Sequence, residues 1–182
     1  MRVLLHACCA PCSSACVMRL KALGHEVTLY FSNSNIDTPE EFGRRLESLR
    51  KLAGAEGVEL VEDGYNHDRW LREVSSGLED EPEKGRRCAR CYRFNLARTA
   101  QYAREHGFDA FTTSLTVSPH KPSALVFAMG KEVQDEAAED GKPVFLREDF
   151  KKKDGFMISV QRAKELELYR QNYCGCEFSF GA

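Results

Sequence analysis

No stretch of this chain approaches the ~18 consecutive apolar residues of a membrane-spanning helix. The N-terminal apolar run stops at His6, after only Val3, Leu4 and Leu5, so it does not read as a secretory leader. A strong excess of either charge is also missing: 26 Lys and Arg stand against 28 Asp and Glu, a formal net charge of -2. Such a balance announces no polyanion partner by itself, and any nucleic-acid surface has to be local. There is no G-x-G-x-x-G and no G-x-x-x-x-G-K-S/T run, which removes nucleotide-binding fingerprints of those types. No repeat and no linker divides the chain, so residues 1–182 are expected to form one domain. These absences place the chain in a reducing cytoplasm with no membrane partner. There, clustered cysteines point to metal or redox chemistry rather than to structural bridges.

Cysteine is what the chain has in number: eight residues, too few for a disulfide scaffold but many for an ordinary domain. With 182 residues, 42% of them hydrophobic, the chain needs no staples to fold. The cysteines fall in three places. Cys8, Cys9 and Cys12 lie in the stretch LLHACCAPC, where an apolar strand runs into a loop and a helix begins at Pro11. Cys88 and Cys91 form a C-x-x-C, and Cys174 and Cys176 flank Gly175 near the C-terminus. The remaining one, Cys16, shares a helical face with Leu20 and Leu23 and reads as an inert core thiol.

Hydrophobic periodicity and turn residues predict strands near Met1–Ala7, Val27–Phe31, Val58–Val61, Ala110–Val117 and Val144–Leu146, alternating with helices. Thr38, Pro39 and Glu41 form a capping box before the stripe Phe42, Leu46, Leu49 and Ala53. A long helix is predicted from Cys88 to His106 and a last one from near Ser159; Gly77 to Gly85 reads as a mobile surface loop. This alternation implies a parallel sheet of about five strands with helices on both faces, a Rossmann-like three-layer α/β domain. In such sheets ligands bind beyond the carboxyl ends of the strands, which is where the first strand delivers Cys8 and Cys9.

Cys88 and Cys91 sit one turn apart on one helix face, at a helix start that favours thiolates. Alone they could be half a zinc site or a redox pair. Joined to Cys8 and Cys9 they make four thiolates, a set used by tetrahedral zinc and by iron–sulfur clusters. Adjacent cysteines suit iron–sulfur better than zinc, whose ligands usually stand further apart, and zinc stays open. A bridge between Cys174 and Cys176 would close a very small ring, strained and easily reduced, as an electron carrier requires; the same pair could instead hold a metal. Lys84, Arg86, Arg87, Arg90 and Arg93 surround the C-x-x-C, either as a solvated face or as a phosphate-binding surface. Lys151, Lys152 and Lys153 form a second basic run. Tyr92, Tyr169 and Tyr173 are packing residues or platforms for an unpaired base. His6 is placed near the centre, whereas His25, His67 and His106 read as surface residues.

The stretches LLHACCAPCS, FSNSNI, RRCARCYRFNLARTA, GFDAFTTSLTVSP and LYRQNYCGCEFS, in this order, resemble the QueH-type epoxyqueuosine reductases over nearly the whole chain. The resemblance implies an oxidoreductase that reduces epoxyqueuosine to queuosine at the wobble position of tRNA anticodons, the last step of queuosine biosynthesis. It implies a 4Fe-4S cluster on Cys8, Cys9, Cys88 and Cys91, no cobalamin, and a redox-active pair at Cys174 and Cys176. It implies a fold similar to adenine nucleotide α-hydrolases, with tRNA and an external electron donor as partners. By this reading Arg86, Arg87, Arg90 and Arg93 bind the substrate. The resemblance leaves Cys12 without a role, and His120 and Lys121 depart from the residues expected after the Ser118-Pro119 turn.

The reaction consumes two electrons and two protons and releases the epoxide oxygen as water. A dithiol at Cys174 and Cys176 supplies both electrons; alternatively these residues hold a second, mononuclear iron as a Lewis acid. His6, Asp149 and Tyr173 are candidate proton donors. Two other readings compete: a zinc-stabilised RNA-binding module without catalysis, and a sulfur-transferring tRNA enzyme, against which the missing glycine-rich nucleotide loop counts.

Overall fold

The computed structural model describes residues 1–138 and 140–179. Its middle is β1 (Arg2–His6), whose last four residues are buried. Val3 and Leu5 join one apolar cluster and Leu4 another, because successive strand side chains point to opposite faces. A strand buried on both sides needs a helical layer on each. The chain provides them in alternation: α1 (Ala10–Ala22), β2 (Glu26–Phe31), α2 (Pro39–Glu56), β3 (Glu59–Glu62), α3 (His67–Trp70) running into a π-helical turn at Leu71–Ser75, then α4 (Arg86–Glu105). Next come β4 (Ala110–Thr113), a 3-10 turn at Ser114–Val117, α5 (Ser123–Ala137), β5 (Val144–Phe145), α6 (Gly155–Glu165) and a 3-10 turn at Glu177–Ser179.

All strand pairs are parallel, in the order β3-β2-β1-β4-β5. Helices α1, α2 and α6 pack over Val3, Leu5, Leu29 and Phe31, through Val17, Leu20, Leu49, Leu52 and Ala163. On the other face Leu96 and Ala100 of α4 and Val133 of α5 cover Leu4, Tyr30, Phe111 and Phe145. Helix α5 comes so close to β5 that a Cβ on Gly130 would fall 2.2 Å from the Phe145 ring, so no larger residue fits there. The expected three-layer α/β fold with five parallel strands is the observed one. Among the described residues, no helix is long and apolar enough to cross a membrane.

The chain leaves β1 toward β2 and β3 and returns to place β4 and β5 on the other side. The carboxyl ends of β1 and β4 therefore flank the topological switch point, where open α/β sheets bind ligands. Half of the expected capping box forms: Thr38 Oγ1 accepts from the Glu41 N–H at 3.2 Å, while the Glu41 carboxylate turns instead to Arg45 and the Tyr169 hydroxyl; Gly57, at φ 62°, ends α2.

Most element ends shift by a residue or two, and three features differ more. Strand β4 stops at Thr113 rather than Val117, because the Thr113 hydroxyl accepts the Leu115 N–H and turns the backbone into the 3-10 turn. Helix α6 starts at Gly155, ahead of Ser159. The segment from Gly77 to Gly85 is not a free loop: the Arg87 guanidinium donates to the carbonyls of Leu78, Glu79 and Glu81, and Leu78 is buried. Beyond α6 the described residues form a 3-10 turn at Glu177–Ser179, and residues 180–182 lie outside the described residues.

Candidate active site

The loop after β1 and the turn after β4 are tied together at the switch point. The Cys8 N–H donates to Ser114 Oγ at 3.0 Å, and the Ser114 hydroxyl donates to Cys8 Sγ at 3.1 Å. Cys9 caps α1, and Cys12, three residues later, lies on the same helical face. The sulfurs of Cys8, Cys9 and Cys12 consequently lie within 4.8 Å of one another, the one such group of metal-ligating side chains among the described residues. Hydrogen bonds from Cys12 and Cys8 hold the Cys9 thiol well below its ordinary range. Contacts with Cys8 and Cys9 push Cys12 well above it. At Cys8 the Cys12 hydrogen bond acts downward, but Cys9 and burial outweigh it and push the thiol up to about 12. The trio thus gives up one proton readily and holds the others, unless a bound cation displaces them, as metals do from thiols.

Helix α4 brings the C-x-x-C. Cys88 Sγ accepts the Lys84 N–H at 3.2 Å. Burial raises the Cys88 thiol; burial and the neighbouring Cys174 and Cys176 raise Cys91 well above its ordinary range. Trp70, fully buried, acts in the opposite sense at Cys91 but is outweighed.

The tail is fastened by Arg45. Its side chain is 3% exposed, pairs with Glu41 at 2.7 Å, and donates to the carbonyls of Cys174 (2.9 Å) and Tyr173 (3.4 Å). The Gly175 carbonyl accepts the Asp37 N–H at 2.8 Å. Gly175 has φ 129°, and a Cβ there would come within 3.1 Å of Arg45, so glycine suits the position twice over. Lys121 donates to Cys174 Sγ at 3.3 Å. Burial acts to strip its proton, but Cys174, Tyr92 and Cys8 hold the ammonium well above the ordinary lysine range. Burial pushes Cys176 up to about 11.

These segments line one cavity of about 330 Å³, whose walls include Cys8, Cys9, Cys12, Cys91 and Cys174. Cys88 and Cys8 each pack against the cluster of Tyr92, Leu115 and Val126. The grouping differs from four equivalent thiolates at Cys8, Cys9, Cys88 and Cys91. Cys12 joins the first pair, and the second pair stands in the field of the tail cysteines. Cys16 is fully buried in the core.

Each of the four α4 arginines has its own situation. Arg87 is turned inward, onto three carbonyls and over the Phe178 ring at 4.4 Å, and does not face solvent. Arg86 pairs with Glu81, and Arg93 with Glu136, both at 2.6 Å. Arg90 is exposed. The candidate proton donors are engaged elsewhere. His6 is fully buried between Thr113 (2.9 Å) and the Ser32 carbonyl (3.2 Å), and burial lowers its pKa to about 4, so it is neutral at pH 7. Asp149 accepts from Ser123 at 3.1 Å, and Tyr173 donates to Asp37 at 2.7 Å while lining the cavity. His67 is not a free surface residue: it bonds the Ser34 carbonyl and Glu177 and stacks on Trp70. Sequence reasoning missed Lys121, Arg45 and Trp70, none of which carries a periodic or spacing signal.

The chain matches the family model described as Epoxyqueuosine reductase QueH over residues 3–181. Similar curated proteins carry the same name. One from Streptococcus pyogenes serotype M1 is 38% identical over 183 residues, covering 97% of this chain and 69% of that protein. One from Thermotoga maritima is 33% identical over 180 residues, covering 97% and 89%. Among solved structures the fold is similar to that of the U34-tRNA thiolase NcsA from Methanococcus maripaludis with its 4Fe-4S cluster. The TM-score is 0.58 at 13% identity, over 98% of this chain and 61% of that one. That likeness shows a common fold.

Proposed function

The chain belongs to the epoxyqueuosine reductase QueH family, and we propose that it reduces epoxyqueuosine to queuosine at the wobble position of tRNA, without cobalamin, in the cytoplasm. In this reading Cys8, Cys9, Cys88 and Cys91 hold a 4Fe-4S cluster, and Cys174 and Cys176 are the redox-active pair. The observation that carries it is the convergence of the three cysteine-bearing segments on one cavity at the switch point.

The donor set fits a bound cluster. Ser114 turns its O–H toward the sulfur of Cys8 and Lys84 its backbone N–H toward that of Cys88, an arrangement that suits thiolates better than neutral thiols. A bound cluster supplies electrons one at a time, and its source is an external donor. The tail pair supplies two electrons together. Oxidation of Cys174 and Cys176 to a disulfide releases two electrons and two protons, which balance the loss of the epoxide oxygen as water and the formation of the alkene. The half-buried Lys121 ammonium at Cys174 favours this dithiol role over a second, mononuclear iron, since a further cation on that sulfur would be repelled.

For tRNA, the cavity wall carries Arg45, Lys121 and Arg170 against Glu83, and the exposed Arg90 stands on the neighbouring helix. With Arg87 turned inward, phosphate contacts fall to Arg90 and to Arg86 and Arg93 at the surface.

Anaerobically purified protein should contain several irons and acid-labile sulfides per chain and be brown. Serine at Cys88 or Cys91 should abolish the colour, whereas Cys16→Ser should spare it. Stoichiometric zinc without sulfide would remove this reading and promote the zinc-stabilised RNA-binding module.

A further inference from the structure

Cys12 has no part in the chemistry proposed above, yet its sulfur lies within 4.8 Å of those of Cys8 and Cys9. It closes a C-x-x-C, Cys9-Ala10-Pro11-Cys12, set where β1 passes into α1. In an α/β domain that spacing and placement suit thiol–disulfide exchange.

Cys9 is the N-cap of α1, with extended backbone at φ -165°, and its side chain makes no capping bond. Its carbonyl accepts the Ser13 N–H at 3.1 Å and the Ser13 hydroxyl at 2.8 Å, which ties it to the first turn of the helix. Cys12 stands three residues on, and Pro11 stiffens the turn between them. Helix geometry puts residues three apart at roughly 5 Å between Cα atoms. That is inside the span of about 4.4–6.8 Å that a disulfide bridges. Cys8 is the poorer partner. Adjacent Cα atoms are about 3.8 Å apart, too close for an unstrained bridge from Cys8 to Cys9. The Cys8 sulfur is also held by the Ser114 hydroxyl at 3.1 Å, on the turn after β4. All three residues line the cavity, with Cys9 2% exposed and Cys12 half-buried.

We propose that Cys12 is the resolving partner of Cys9: when the site holds no metal, the two close a reversible disulfide that shields Cys9 from irreversible oxidation. The oxidant is a hydroperoxide. One sulfur takes an oxygen from hydrogen peroxide as a sulfenic acid, with release of water; the other sulfur attacks it and displaces that oxygen as a second water. The pair gives up two electrons and its two thiol hydrogens, and the peroxide becomes two waters. Without a resolving thiol the sulfenic acid goes on to sulfinic acid, which thiols do not reverse. The pair is separate from Cys174 and Cys176, and its closure does not depend on which metal the site takes.

The full-length protein is stripped of metal by a chelator and treated with a small excess of hydrogen peroxide. Its tryptic peptides are then mapped by mass spectrometry without reduction. The peptide carrying Cys8, Cys9, Cys12 and Cys16 should lose two hydrogens, fragment as a Cys9–Cys12 bridge, and return to the dithiol with dithiothreitol. Cys8→Ser should keep the bridge. Cys12→Ser should lose it and carry several-fold more sulfinic acid at Cys9. Wild-type protein loaded with iron and sulfide should form the bridge only as its iron is released. A bridge from Cys12 to Cys8 overturns the proposal, as do free thiols at Cys9 and Cys12 after treatment of the wild type. Equal sulfinic acid at Cys9 in the wild type and in Cys12→Ser overturns it too. A chain that takes up no iron and sulfide but forms the Cys9–Cys12 bridge overturns the cluster reading and supports the pair.

Discussion

Replacing Arg45 with alanine should unlatch the cysteine tail while leaving the sheet folded. Arg45 joins α2 to the tail: one edge of its guanidinium pairs with Glu41, and the other donates to the Cys174 and Tyr173 carbonyls. Its removal strands the Glu41 carboxylate, 4% exposed, with the Tyr169 hydroxyl as a remaining partner at 2.9 Å. Breaking a buried pair in this way costs about 3–5 kcal/mol of global stability. The tail's own loss is smaller. The 3.4 Å contact to Tyr173 is long, so the 2.9 Å bond to Cys174 dominates. A hydrogen bond from a charged donor is worth about 2 kcal/mol. At 1.4 kcal/mol per decade, the tail should then open about 30-fold more often. The Asp37 amide, held by the Gly175 carbonyl, reports that opening by hydrogen exchange. Its exchange should accelerate about 30-fold beyond any change in the β1 amides, which report global unfolding. The double variant Glu41→Leu, Arg45→Met replaces the pair by apolar groups and should recover much of the stability, yet it should still unlatch the tail. Unchanged exchange at Asp37 in both variants would show that Arg45 does not hold the tail.

Arg87→Ala should cost about 3 kcal/mol or more, since it orphans three carbonyls at once, and should leave the tRNA affinity of the folded fraction unchanged; urea denaturation and filter binding read the two effects. Arg90→Ala should do the reverse, with stability within about 0.5 kcal/mol and a salt dependence of binding flatter by about 0.7 to 0.9 log units per log unit of salt. Asp63 should contribute to acid unfolding. Burial raises its pKa, but Arg98 at 2.6 Å and Ser32 outweigh this and set it below the ordinary value. Its stabilisation is therefore complete above the unfolded value of about 3.9 and is lost as pH falls through the depressed folded value, so Asp63→Asn should flatten the stability curve in that range. Cys174→Ala and Cys176→Ala should each keep the brown cluster and lose epoxide reduction.

The sheet was legible in the sequence because its signals are local. Val3 to Leu5 is continuously apolar, Thr38 and Glu41 are three residues apart, and Pro11 and Gly57 mark a helix start and a helix end. The delivery of Cys8 and Cys9 to the switch point followed from the strand-to-helix order. The company of Cys12 could also have been read, since a residue three beyond Cys9 in a helix shares its face. Other features were not legible. Lys121 meets Cys174 across 53 residues, and Arg45 meets it across 129; such pairings leave no period in the chain. Arg87 looked like one of a basic row, but the loop from Leu78 to Glu81 folds over it and takes all its donated bonds. That same contact turns a polar, loop-like segment into an ordered one. Trp70 likewise meets Phe178 across most of the chain, a contact with no local signal.

The measurement that bears most directly on the proposed chemistry is a single turnover of epoxyqueuosine-tRNA by pre-reduced, anaerobic protein in the absence of cobalamin, with tail thiols counted before and after. The account predicts queuosine in the tRNA and the loss of two thiols, at Cys174 and Cys176, for each alkene formed when no further electrons are supplied. Unchanged epoxyqueuosine in the presence of a full iron and sulfide complement, or alkene formation by the Cys174→Ala and Cys176→Ala proteins, would contradict it.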